Sequence, residues 1–118
     1  MTPSRLFHNP RCSKSREALA LLEARGVQPV IVPYLEQPPS AAELRELLAQ
    51  LGRPVRDLLR RSEPEFDALG LDDPALTDDT LIDALAAHPR LIERPIFVFG
   101  GRAMIGRPPE RVLELLPP

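Results

Sequence analysis

Short apolar runs and longer apolar stripes alternate along the chain, and their periods predict its elements. Arg5-Leu6-Phe7-His8 reads as a short strand, broken at Asn9-Pro10 because proline disfavours helix at the residue before it. Ala18, Leu21 and Leu22, with Leu19 beside them, form the apolar stripe of a helix from about Ser13 to Arg25, which Gly26 ends. Val30-Ile31-Val32 is β-branched throughout and reads as a buried strand. The opening is therefore strand, loop, helix, strand: a βαβ unit.

The middle of the chain carries a helical period. Ser40-Ala41-Ala42-Glu43 is a capping box, followed by Leu44, Leu47, Leu48 and Leu51, with Gly52 and Pro54 as the stop. A short helix is expected over Val55 to Arg61, another near Glu65 to Leu69, and a third capped by Thr77 and carrying Leu81, Ile82 and Leu85. Alternation then returns. Ile96 to Phe99, Gly100-Gly101 and Arg102 to Ile105 read as a hairpin with a two-residue turn. Pro108-Pro109 is expected to open a last helix bearing Val112, Leu113, Leu115 and Leu116. The order βαβ, helices, ββα outlines an α/β chain of thioredoxin-like fold. It predicts a mixed four-stranded sheet and a helical insertion over about 40–90, all in one domain of residues 1–118.

Composition narrows the function classes. A chain of 118 residues, 43% hydrophobic, can bury a core without staples. A formal net charge of −2 gives no electrostatic case for nucleic acid. Apolar runs fall short of a membrane span, and Met1 to His8 lacks the apolar stretch of a secretory leader, so a cytoplasmic location is expected. Of the 15 basic residues all but Lys14 are Arg, a bias that also accompanies the abundant Pro, Ala and Leu, so each Arg has to be argued by its own position. The single cysteine, Cys12, rules out an internal disulfide, a CxxC pair and multi-thiolate metal sites.

Cys12 is nonetheless the chemical centre of the sequence. It falls between a strand and a helix, where the first helical N–H groups lack intrahelical partners and favour negative charge. That place stabilises a thiolate and equally suits an oxyanion. Arg11, Lys14 and Arg16 add positive charge, Ser13 and Ser15 add hydroxyl donors, and His8 at the strand end is within reach of the loop.

The run His8-Asn9-Pro10-Arg11-Cys12-Ser13-Lys14-Ser15-Arg16 strongly resembles the active-site loop of the ArsC family, the glutaredoxin-linked arsenate reductases. Tyr34-Leu35-Glu36-Gln37-Pro38-Pro39, the stretch Val55 to Arg61, Ile92-Glu93-Arg94-Pro95-Ile96 and Ile105-Gly106-Arg107-Pro108-Pro109-Glu110 resemble further motifs of that family, in register along nearly the whole chain. The chain is similar to the family's short, YfgD-like branch.

The resemblance implies a site. Cys12 takes the nucleophile position; Arg60, Arg94 and Arg107 take the three oxyanion-binding positions; His8, Asn9 and Ser15 support the loop. Arg61 competes with Arg60, because a shift of one residue would exchange them. Thioredoxin-like folds usually hold a cis proline opposite the cysteine, so Pro95 is expected to be cis. The implied reaction is reduction of arsenate to arsenite through a Cys12 adduct, with glutathione as co-substrate and glutaredoxin as partner. No bound cofactor, metal or nucleic acid is expected, and a monomer is. The lone cysteine fits an external thiol as resolving group. Two other readings compete: an Spx-like regulator that binds RNA polymerase, although Ser15 stands where its CxxC switch would have the second cysteine, and a glutathione-linked thiol transferase.

Overall fold

The computed structural model describes residues 4–117, so Met1 to Pro3, part of the stretch read for a leader, and Pro118 lie outside the described residues. The chain divides into two compact units: residues 1–37 with 94–118, and residues 38–93.

The first unit is built on four strands: β1 (Ser4–Phe7), β2 (Val30–Val32), β3 (Ile96–Phe99) and β4 (Arg102–Ile105). Their order across the sheet is β2-β1-β3-β4; β1 pairs parallel with β2 and antiparallel with β3, and β3 pairs antiparallel with β4. This is the mixed four-stranded sheet expected of a thioredoxin-like fold. Helix α1 (Ser13–Ala24) makes the crossover from β1 to β2. Leu6 is paired with Phe97 and Phe97 with Met104, so one sheet face carries an apolar row. Ala18 and Leu22 of α1 and Val112 and Leu115 near the C-terminus close over that row. Each large side chain fully buried there contributes about 1.5–3 kcal/mol. The hairpin turn is as expected: Gly100 and Gly101 have φ of 60° and 77°, the left-handed pair that a two-residue turn between twisted strands requires. Both Arg94-Pro95 and Arg107-Pro108 are cis, the first as expected and the second beyond the sequence reading.

Two expectations in this unit are corrected. The strand β2 is not buried: it is a sheet edge, and Val30 and Ile31 are 65% and 41% exposed. Its β-branched composition reports strand tendency and says nothing about which strand ends up outermost. Pro29 and Pro33 bracket it, and because proline donates no ladder hydrogen bond they keep the free edge short. The last helix is 3₁₀ rather than α, over Pro109–Leu115. Its buried residues are Pro109, Val112 and Leu115, spaced by three, which is the period of a 3₁₀ turn.

The second unit holds α2 (Ala41–Leu51), α3 (Pro64–Ala68) and α4 (Asp78–Ala87), with 3₁₀ turns at Val55–Leu58 and Pro89–Leu91. Leu44 and Leu47 of α2 and Leu81 and Leu85 of α4 are buried where the two helices pack. Ser40 accepts the Glu43 N–H at 3.1 Å while Ser40 N–H donates to the Glu43 carboxylate at 3.0 Å, the anticipated capping box, and Gly52 ends α2 at φ 63°. Thr77 caps α4. The expected helix over Val55 to Arg61 stops at Leu58; buried Val55 and Leu58 again lie three apart. Beyond it the chain is extended: Leu59 bridges Ile92, Arg60 N–H donates to Leu91 O at 2.8 Å, and Glu93 N–H donates to Leu58 O at 2.7 Å.

Candidate active site

The loop between β1 and α1 is shaped by hydrogen bonds that its own sequence supplies. Asn9 Oδ1 accepts the Arg11 N–H at 3.0 Å, and Asn9 O accepts the Cys12 N–H at 3.0 Å. These bonds turn the chain sharply after Phe7 and bring Cys12 to the N-cap of α1 with extended φ and ψ of −94° and 123°. Arg16 Nη1 donates to Pro10 O at 2.9 Å, so this arginine clasps the loop from the helix. Lys14 stays exposed, 3.9 Å from Glu17.

Cys12 is 9% exposed. Burial pushes its pKa up, but opposing groups win and the result lies below the usual thiol value. Those groups are the Ser15 backbone N–H, the Arg94 charge, the Lys14 backbone N–H and the Ser15 hydroxyl. The first turn of α1 contains no acidic residue, so nothing there competes with the sulfur for the N–H groups. Ser15 has no exposed surface; its hydroxyl accepts the Asn9 N–H at 3.4 Å and thereby turns its own proton toward the sulfur.

Two arginines distant in sequence complete the surroundings of the thiol. Arg107 Nη2 lies 4.0 Å from Cys12 Sγ, and Arg107 Nε donates to Arg94 O at 2.9 Å. One edge of the guanidinium is thus fixed by a peptide carbonyl while another faces the sulfur. Gly106 makes this possible. Its N–H donates to Pro95 O at 2.9 Å, and a Cβ there would meet Pro95 Cγ and Val112 Cγ1, each at 2.9 Å. The sequence motif Ile105 to Glu110 contains Gly106 but assigns it no role; its signal is a glycine directly beside a candidate arginine, where backbones approach closely.

Cys12, Ser15, Asn9, Arg94 and Arg107 come together in the first unit. His8 is buried at the end of β1, with its pKa lowered by burial and secondarily by the Arg16 charge, and its Nδ1 has no hydrogen-bond partner among the described residues. It lines a hollow of about 260 Å³ between the loop and residues 33–36. A neutral imidazole supplies no positive charge to a thiolate, so any support from His8 comes through packing or polarity. Arg60 belongs to the second unit, where it is ion-paired with Glu63. Arg61 is exposed and sits over the Phe66 ring at 5.7 Å, which separates the two competing arginines by environment. Among the described residues no group of three or more His, Cys, Asp or Glu could hold a metal ion, and no helix is long and apolar enough to cross a membrane.

A cysteine with a lowered pKa at a helix N-terminus, on a thioredoxin-like sheet whose unit also holds a cis proline after Arg94, defines a thiol-chemistry protein of that fold. The ArsC family model matches residues 7–115, and the chain belongs to the ArsC family. It is 51% identical over 113 residues to the protein YfgD of Escherichia coli K12, covering 95% of each chain. It is 45% identical over 117 residues to a protein named arsenate reductase in Neisseria meningitidis, covering 98% of this chain and 100% of that one. A solved structure described as arsenate reductase from Vibrio cholerae superposes with a TM-score of 0.95 at 52% identity, covering 98% of each chain.

Proposed function

We propose that this chain is an arsenate reductase that works through a Cys12 adduct with glutathione and glutaredoxin as the source of electrons. The observation that carries the reading is the thiol of Cys12, favoured as thiolate by the start of α1 and facing the Arg107 guanidinium at 4.0 Å. A thiolate is the nucleophile this chemistry needs, and guanidinium is the donor best matched to two oxygens of a tetrahedral oxyanion.

In the proposed reaction the sulfur attacks arsenic, a Cys12–S–As(V) bond forms, and an arsenate oxygen leaves protonated as water. Arg94 and Arg107 offset the charge of the oxyanion beside the sulfur. Arg60 is assigned to the same task on its motif. Glutathione displaces a second oxygen as water and becomes bonded to arsenic. The glutaredoxin thiolate then attacks the glutathione sulfur. A mixed disulfide forms, the As–S bond to glutathione breaks, and its electron pair stays on arsenic, which becomes As(III). Water displaces Cys12, releasing arsenite and restoring the thiol. With one cysteine in the chain, the oxidised product is a disulfide between the two external thiols. The protein is proposed to act as a monomer in the cytoplasm.

The test is arsenite formation by purified protein with glutathione and glutaredoxin, each omitted in turn. Production that requires all three supports the reading. Absence of arsenite in the complete mixture, or equal production without glutathione, refutes it.

A further inference from the structure

Glu63 is a carboxylate of the second unit with two cationic partners. Its Oε1 pairs with Arg60 Nη1, and its Oε2 accepts Arg90 Nη2 at 3.2 Å. The Glu63 and Arg60 side chains are 12% and 18% exposed, whereas Arg90 is 64% exposed. Arg60 is also held by its backbone, through its N–H on Leu91 O at 2.8 Å and its carbonyl accepting the Glu63 N–H at 3.4 Å. A long, rotamer-rich side chain is thereby confined at both ends.

We propose that Glu63 is a positioning residue: it presets the Arg60 guanidinium for oxyanion binding, and Arg90 keeps Glu63 in place. This rests on the assignment of Arg60 to arsenate made above. Three features favour presetting over simple neutralisation. Two guanidiniums on one carboxylate leave a net positive charge, so the cluster still attracts an anion. The ion pair of Arg60 with Glu63 uses Nη1, and the five donors of the fork leave others to grip a second acceptor. A largely buried pair also loses less of its strength to solvent than an exposed one, so the restraint on Arg60 is a real one. Glu63 acts through Arg60 and touches no reacting atom in this scheme.

The experiment is a double-mutant cycle on arsenate reduction, with glutathione and glutaredoxin saturating. Glu63→Ala is expected to raise KM for arsenate about tenfold with kcat nearly unchanged, and Glu63→Gln, which keeps the acceptor and loses the charge, to raise it less. Arg60→Ala is expected to raise KM at least as much, and adding Glu63→Ala to it to change nothing further. Melting temperatures of all variants separate loss of fold from loss of positioning. If Glu63→Ala leaves KM unchanged or lowers it, or if its effect persists on the Arg60→Ala background, the inference is overturned. If Arg60→Ala itself leaves KM unchanged, it is the assignment of Arg60 that fails, and the inference falls with it.

Discussion

The N-termini of α1 and α2 begin alike and end up with opposite tasks. At α2, Ser40 accepts the Glu43 N–H, Glu43 reaches back to the Ser40 N–H, and a carboxylate lies in the first turn. The partial positive charge of that helix end is answered by its own side chains, which stabilises the fold. At α1, the N-cap is Cys12, the third helical residue is Ser15 instead of a glutamate, and the first turn has no acidic residue. The same unpaired N–H groups now act on a sulfur and on whatever anion approaches it. A helix start is thus a stabilising device when it is saturated locally and a reactive one when its capping is left to an ionisable thiol.

Substitutions can break this contrast. The largest effect is expected from Cys12→Ser, which gives α1 the capping residue of α2. Arsenate turnover should fall about 10³-fold or more because a hydroxyl at neutral pH is a poor nucleophile. Folding stability should hold or rise, because serine is a good N-cap.

Ser15→Ala comes next. It removes one donor to the sulfur, so the thiol pKa should rise and its alkylation rate at neutral pH should drop about three- to tenfold. The pH profile of alkylation checks the sign. In the parent protein the midpoint lies below the ordinary thiol value, and in the variant it moves up toward it. The lowered pKa also links to stability. The contribution from Cys12 is present above the ordinary thiol value and is lost as the pH falls through the folded value. His8, also lowered, has the same sign: its contribution is present above about 6.5 and is lost on further acidification through its folded pKa.

A smaller effect is expected from Lys14→Glu, which puts a carboxylate in the first turn of α1. Thiol reactivity should fall about two- to fivefold, and the helix should gain a few tenths of a kcal/mol. Smallest on activity is Ser40→Ala. It should cost about 1 kcal/mol of stability in denaturant titration while leaving the kinetics of arsenate reduction unchanged. A Ser40→Ala variant as impaired in turnover as Ser15→Ala would erase the distinction between the two helix starts.

What was legible in the sequence follows the range of the interactions involved. The capping box of α2, the Thr77 cap, the Gly100-Gly101 hairpin and the place of Cys12 before α1 are each decided within a few residues, and each was read correctly. The Arg60 segment was misread as helical, because its extended form depends on Leu91, Ile92 and Glu93, some thirty residues away. The edge position of β2 and the 3₁₀ form of Pro109–Leu115 were missed for a related reason: strand order and packing period are settled by neighbours across the unit.

By itself, then, the sequence determined the order of elements, the helix ends and the identity of the reactive sulfur, because those depend on backbone hydrogen bonds between near neighbours. Tertiary structure decided which charges face that sulfur. Arg107 stands 95 positions from Cys12 and is brought to it by the pairing of β3 with β4, the carbonyl of Arg94 and the missing side chain of Gly106. The physical reason is that such contacts form only when the whole sheet closes, and no local propensity encodes where a distant guanidinium will point.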